Sequence, residues 1–268
     1  MPSLVIPQGP VHYEVYGKGK PVILLHGWLG SWQLWESTMQ ALGVKYRTYA
    51  IDFWGFGESG KRRDSYLVTD FVELIAQFMS ALGIAKAPLI GHSMGGTVSL
   101  MTALRYPELV SKVAIIGSPV NGNSLVLLLK LASIPWIADL LFKQMGLFRK
   151  SLHFAAPLLS PNPDFPNLID TDLSRTTLAS FLTSIASLRQ IDLSQGDPDL
   201  TIPILGMYGL KDNLVKPSEW RTLVKAFPQA QTKLYPREKH FPMLSPGSGF
   251  QEDLRAFLDS PLTPVTMK

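Results

Sequence analysis

The 268-residue chain contains no cysteine. That absence removes disulfides, thiolate zinc sites, iron–sulfur clusters and a cysteine nucleophile together, and it accords with a reducing compartment. Charge is also sparse: charged residues are 17% of the chain and the net charge is +4. The longest basic run is Lys61-Arg62-Arg63, far short of the clustered basic face that nucleic-acid binding requires. No apolar stretch is long enough to cross a bilayer. The most apolar region, Leu125 to Phe142, is broken by Lys130, Pro135 and Asp139, whereas a spanning helix needs about 20 apolar residues in a row. Met1 to Pro10 has neither the basic start nor the apolar middle of a secretory signal. The expectation is an intracellular chain, cytoplasmic or peripheral to a membrane. Internal repeats and low-complexity tracts are missing too.

What is present is apolar material, 46% of residues, enough for one large core. Two alternating segments, Leu4 to Ile6 and Val11 to Tyr16, flank a Pro-Gln-Gly-Pro turn and predict a hairpin. Buried strands are then predicted at Pro21–Leu25, Tyr46–Ile51, Ala87–Ile90, Val113–Ile116, Ile204–Tyr208 and Thr232–Tyr235. Between them, helical spacing predicts helices at Ser31–Leu42, Thr69–Leu82, Met94–Tyr106, Ser218–Phe227 and Phe250–Leu258. Such alternation implies an α/β fold, a mostly parallel sheet covered by helices on both faces. It stops between Pro119 and about Leu200, where leucine-rich helical spacing is punctuated by prolines. The expected organisation is therefore a core of residues 1–119 and 200–268, with a helical cap, 120–199, inserted in it.

The chemistry is carried by Gly91-His92-Ser93-Met94-Gly95-Gly96, a G-x-S-x-G pattern between a predicted strand and a predicted helix. A sharp strand-to-helix turn there exposes the serine hydroxyl, and flanking glycines make room for it. A serine hydroxyl is a weak nucleophile, so it needs a base in reach and an acid that holds the base's tautomer. Both are expected downstream, on loops at the carboxyl ends of later strands. Asp212 follows the strand Ile204–Tyr208, while Asp197 and Asp199 precede it, at the wrong end. His240 follows Thr232–Tyr235. The oxyanion donors are the backbone N–H groups of Met94 and of Trp28, after the strand that ends in His26-Gly27. His26 reads as structural. His92 should point away from the pocket, His12 lies in the hairpin and His153 in the cap. Neither a metal nor an organic cofactor is required.

Together His26-Gly27, Asp52-Phe53-Trp54-Gly55-Phe56-Gly57-Glu58-Ser59, Gly91 to Gly96, Asp212 and His240 resemble the α/β-hydrolase superfamily over essentially the whole chain. The resemblance implies that Asp52 to Ser59 is a structural turn, with Trp54 near the pocket. One departure is Lys239, where such proteins often carry glycine before the catalytic histidine. Serine at the elbow sets the chain apart from haloalkane dehalogenases, epoxide hydrolases and dienelactone hydrolases. Esterases, lipases, carbon–carbon hydrolases and perhydrolase-like enzymes remain, as does a ligand-sensing protein on the same fold.

The cap bears on substrate. Leu125, Leu128, Leu129 and Ala132 share helical spacing, followed by Trp136, Ile137, Leu140 and Leu141. Trp28, Leu128 and Trp136 are the candidate substrate contacts. Across 120–160 stand Lys130, Lys143, Arg149 and Lys150 against Asp139 alone. This suits a bulky hydrophobic small-molecule ester and peripheral contact with an anionic membrane surface; the alternative is that these residues only pack the cap onto the core. The character of the cap is similar to that of chlorophyll dephytylases, which cleave the phytyl ester of chlorophyll; that resemblance would imply a thylakoid location. Lipid or acylglycerol ester hydrolysis fits the same features.

Overall fold

Along the central strands, successive apolar side chains serve opposite faces of one sheet. Val22 and Leu24 join one buried cluster while Ile23 and Leu25 join the other. Residues 3–61, 65–197 and 199–261 are described by the computed structural model, with only the backbone of Leu128. Arg62 and Arg63 of the basic run lie outside the described residues.

The strands are β1 (Ser3–Ile6), β2 (Gly9–Tyr16), β3 (Lys20–Leu25), β4 (Tyr46–Ile51), β5 (Ala87–His92), β6 (Val110–Ile116), β7 (Ile204–Gly209) and β8 (Gln231–Tyr235). They form one eight-stranded sheet in the order β1-β2-β4-β3-β5-β6-β7-β8. β1 and β2 form the expected antiparallel hairpin, β2 is antiparallel to β4, and every later pairing is parallel. Helices α1 (Glu36–Leu42) and α10 (Phe250–Asp259) cover one face. Helices α2 (Val68–Ala81), α3 (Met94–Arg105) and α9 (Glu219–Ala226) cover the other.

One predicted helix is shorter than its pattern. Residues 32–35 form a 3-10 turn before α1 begins. Asp52 Oδ1 accepts from the Trp32 N–H at 2.7 Å and Ser31 caps Gln33, so the first turn is tightened by side chains from outside it.

Between β6 and β7 lie five helices: α4 (Leu127–Ala132), α5 (Pro135–Lys143), α6 (Met145–Leu159), α7 (Phe165–Ser174) and α8 (Leu178–Gln190). The chain enters and leaves this segment side by side. Asn121 bridges Asp192, the Gly122 N–H donates to the Ile191 carbonyl, and the Leu193 N–H donates to the Val120 carbonyl. Among the described residues no helix is long and apolar enough to cross a membrane.

Candidate active site

Ser93 sits between β5 and α3 with φ 51° and ψ −119°. A non-glycine residue avoids that region, and holding one there costs on the order of 1–3 kcal/mol, which the surroundings must impose. They do so by bonding and by close approach. The Ser93 N–H donates to the Ile116 carbonyl of β6 at 2.8 Å, and a Cβ on Gly91 would run into the Gly95 carbonyl. Met94 is the first residue of α3, so its N–H has no acceptor within the helix.

Asp212 and His240 emerge after β7 and β8, at the same sheet edge as Ser93. His240 Nδ1 lies 2.7 Å from Asp212 Oδ2. Asp212 Oδ1 accepts from the backbone N–H groups of Leu214 (2.8 Å) and Val215 (3.0 Å). Both carboxylate oxygens are therefore used, one for the histidine and one for the loop that carries the acid. Gly117, at the end of β6 with φ 53°, leaves the room this pair needs: a Cβ there would stand 3.1 Å from His240 Nδ1 and 3.3 Å from Asp212 Oδ2. Sequence reasoning did not find Gly117, because its role depends on two residues about a hundred positions away.

Ser93, His240 and Trp28 line one cavity of about 330 Å³. Leu29 joins them, and its φ of 58° makes it, with Ser93, one of two non-glycine residues of positive φ among the described residues. The turn that holds it closes through Gly30 N–H to the Gly27 carbonyl, so that bond does not use the Trp28 N–H. The Trp28 indole donates to the Phe181 carbonyl of α8 at 3.0 Å, tying this loop to that helix. The rest of the wall is aliphatic or aromatic, with Leu125, Leu129, Ile137, Leu141, Phe148, Leu152, Leu159, Phe181 and Ile185 prominent, and among the described residues no Asp, Glu, Lys or Arg lines it.

The histidines separate by partner. His26 donates from Nδ1 to the Gly27 carbonyl (2.7 Å) and accepts the Phe53 N–H at Nε2 (2.9 Å); burial pushes its pKa down, which suits the neutral structural role expected of it. His12 bonds Asp52, whose carboxylate also holds the Glu58 N–H, so the Asp52 to Ser59 stretch is indeed held as a turn.

Three expectations are corrected. His92 lines the cavity, because its Nε2 bonds the His240 carbonyl at 3.0 Å and its ring lies 4.6 Å from that of His240. Burial, then the nearby His240 charge, holds its pKa well below the usual histidine range. Trp54 is fully buried in the core cluster and does not reach the cavity. Trp136 is 69% exposed, since on α5 it is Ile137 and Leu141, one turn apart, that face inward. The side chain of Leu128 lies outside the described residues. Lys239, in place of the usual glycine, donates to the Pro157 carbonyl near the end of α6.

Comparison with known proteins gives a consistent neighbourhood. A family model described as the alpha/beta hydrolase fold matches residues 20–246. A pimeloyl-[acyl-carrier protein] methyl ester esterase of Vibrio atlanticus is 27% identical over 256 residues, 92% of this chain and 97% of that protein. Among solved structures, a hydrolase from Pseudomonas aeruginosa superposes with a TM-score of 0.83 at 18% identity, covering 97% of this chain and 98% of that one. An esterase from Exiguobacterium antarcticum superposes with a TM-score of 0.81 at 22% identity, covering 96% and 99%.

Proposed function

From the premise that the chain belongs to the α/β-hydrolase family, we propose that it hydrolyses carboxylic esters with an extended apolar chain, using Ser93 as nucleophile, His240 as base and Asp212 to orient it. The observation that carries this reading is the uncharged cavity onto which both Ser93 and the Asp212-held His240 open.

Ser93 Oγ attacks the ester carbonyl carbon while His240 Nε2, the ring nitrogen not bonded to Asp212, takes the hydroxyl proton. Negative charge gathers on the former carbonyl oxygen, where the N–H groups of Met94 and Trp28 receive it. Donors of this kind contribute several kcal/mol each to the barrier lowering, about 3 kcal/mol in mutagenesis of other enzymes. The carbon–alkoxy bond then breaks, and the alcohol leaves with the proton from His240. Water repeats the cycle on the acyl-enzyme and releases the acid.

For the substrate, the methyl ester of a pimeloyl chain on a carrier protein is the first candidate, by likeness to the Vibrio protein. Its chain is uncharged where it would cross the cavity wall. The phytyl ester of chlorophyll and the esters of acylglycerols share the apolar chain and belong in the same test. Hydrolysis should be measured across p-nitrophenyl esters of increasing chain length, a carrier-linked pimeloyl methyl ester and chlorophyll a, with wild type and Ser93→Ala. The expected result is turnover that rises with chain length and disappears in Ser93→Ala. Equal turnover by Ser93→Ala, or no hydrolysis of any member, would overturn the proposal.

A further inference from the structure

Helix α6 carries two apolar stripes, about 110° apart around its axis. Phe148, Leu152, Ala155 and Leu159, spaced i, i+4, i+7 and i+11, line the cavity. Leu147, Phe154 and Leu158 repeat nearly the same spacing on the outer side and are 66%, 81% and 63% exposed. A helix that only packs a cap onto a core needs the first stripe and not the second. The neighbouring helices do the same: Trp136 and Leu140 of α5 and Leu127 of α4 point outward. Of twelve large hydrophobic side chains exposed among the described residues, seven fall within 127–158, so the apolar surface is concentrated on the cap and not scattered over the molecule.

We infer that this outer face of α4, α5 and α6 docks on a lipid surface, from which the cavity takes the lipid-borne esters among its substrates. Three observations select that occupant. First, two of the four cations of this segment are paired within it, Lys143 with Asp139 and Arg149 with Asp170, while Lys130 is held on the Asn123 carbonyl. An acidic protein partner would find few free cations. Second, a second copy of the chain would set Lys150, one turn from Phe154 on α6, against its own like. Third, Leu131 lines the cavity and is also 39% exposed, so the cavity wall runs out onto this face. An apolar chain could pass from lipid to Ser93 along continuous apolar surface. Tryptophan, phenylalanine and leucine with lysine at the margin is the composition that settles at the headgroup–acyl boundary.

Lipid docking stands apart from catalysis, whereas substrate uptake from the lipid rests on the esterase reading. The test is co-flotation of the full chain with phosphatidylcholine vesicles, with and without phosphatidylglycerol, at low and high salt. It is made with wild type, Ser93→Ala, Lys150→Glu and the double variant Trp136→Ser/Phe154→Ser. Wild type and Ser93→Ala should float alike, and most binding should survive high salt because apolar insertion carries it. The double variant should lose roughly tenfold or more in partitioning, yet hydrolyse a short, water-soluble p-nitrophenyl ester as wild type does. Lys150→Glu should lose less. Absence of flotation, binding abolished by salt, a larger loss in Lys150→Glu than in the double variant, or a salt-resistant dimer dissolved by the double variant would each overturn the inference. Flotation without hydrolysis of any soluble ester would leave docking standing and defeat the esterase reading instead.

Discussion

Under the proposed mechanism, the bond between His240 Nδ1 and Asp212 Oδ2 leaves Nε2 to take the proton from Ser93. Asp212→Asn would offer an amide N–H in place of one acceptor and permit the wrong tautomer. Its kcat should fall by roughly 10³–10⁴-fold with little loss of thermal stability, measured by steady-state kinetics and melting. Gly117→Ala attacks the same pair sterically. With φ 53° and a Cβ 3.1 Å from His240 Nδ1, it should lower kcat by about 10²-fold through displacement of the base, while KM changes little. At this scale the sequence shows a residue's chemistry but not the direction of its side chain. The placement of Ser93, Asp212 and His240 at one sheet edge was legible because motif and chain order put each after the carboxyl end of a strand. His92, Leu29 and Gly117 were not, since each acts through a neighbour that only the folded chain supplies.

Elements were legible wherever a period repeated long enough. The parallel strands and the helices between them follow the alternation of apolar residues, and their ends shift by only a few residues. Where a side chain from elsewhere intervened, as Asp52 does at Trp32, the local pattern misjudged the helix type. Trp136 shows a second limit: a helix with apolar residues all round does not disclose which face turns inward. The seam between α7 and the core makes a prediction of its own. Asp172 is buried at 3% exposure, with Oδ1 lacking a partner. Burial pushes its pKa up to about 7; the nearby Asp52 adds to this, against a Ser31 hydrogen bond and Arg175. A carboxyl raised in the folded state contributes its stability below the unfolded pKa, near 4, and loses it as pH rises through 7. Asp172→Asn should therefore raise the melting temperature at pH 8 much more than at pH 5, a difference of about 3 kcal/mol in stability. Equal effects at both values would exclude ionisation of Asp172 as the cause.

For the molecule as a whole, the sheet brings three loops to one edge and the helices between β6 and β7 place an apolar wall beside them. That the strand–helix alternation stops between β6 and β7 could be read from the sequence; that the helices there carry apolar residues on the outside as well could not, because burial is a property of the assembled fold. The cavity's size should set chain length. Leu152→Trp fills it from α6, and the optimum of a p-nitrophenyl ester series should move to shorter chains with short-ester turnover retained. The proposed chemistry passes through a covalent intermediate at Ser93. The measurement that tests this most directly is intact-protein and peptide mass spectrometry after rapid acid quench of the enzyme turning over a p-nitrophenyl ester. An acyl adduct on the peptide carrying Ser93, with a burst of p-nitrophenol and neither in Ser93→Ala, is the predicted result. Turnover with no adduct at Ser93, undiminished in Ser93→Ala, would contradict it.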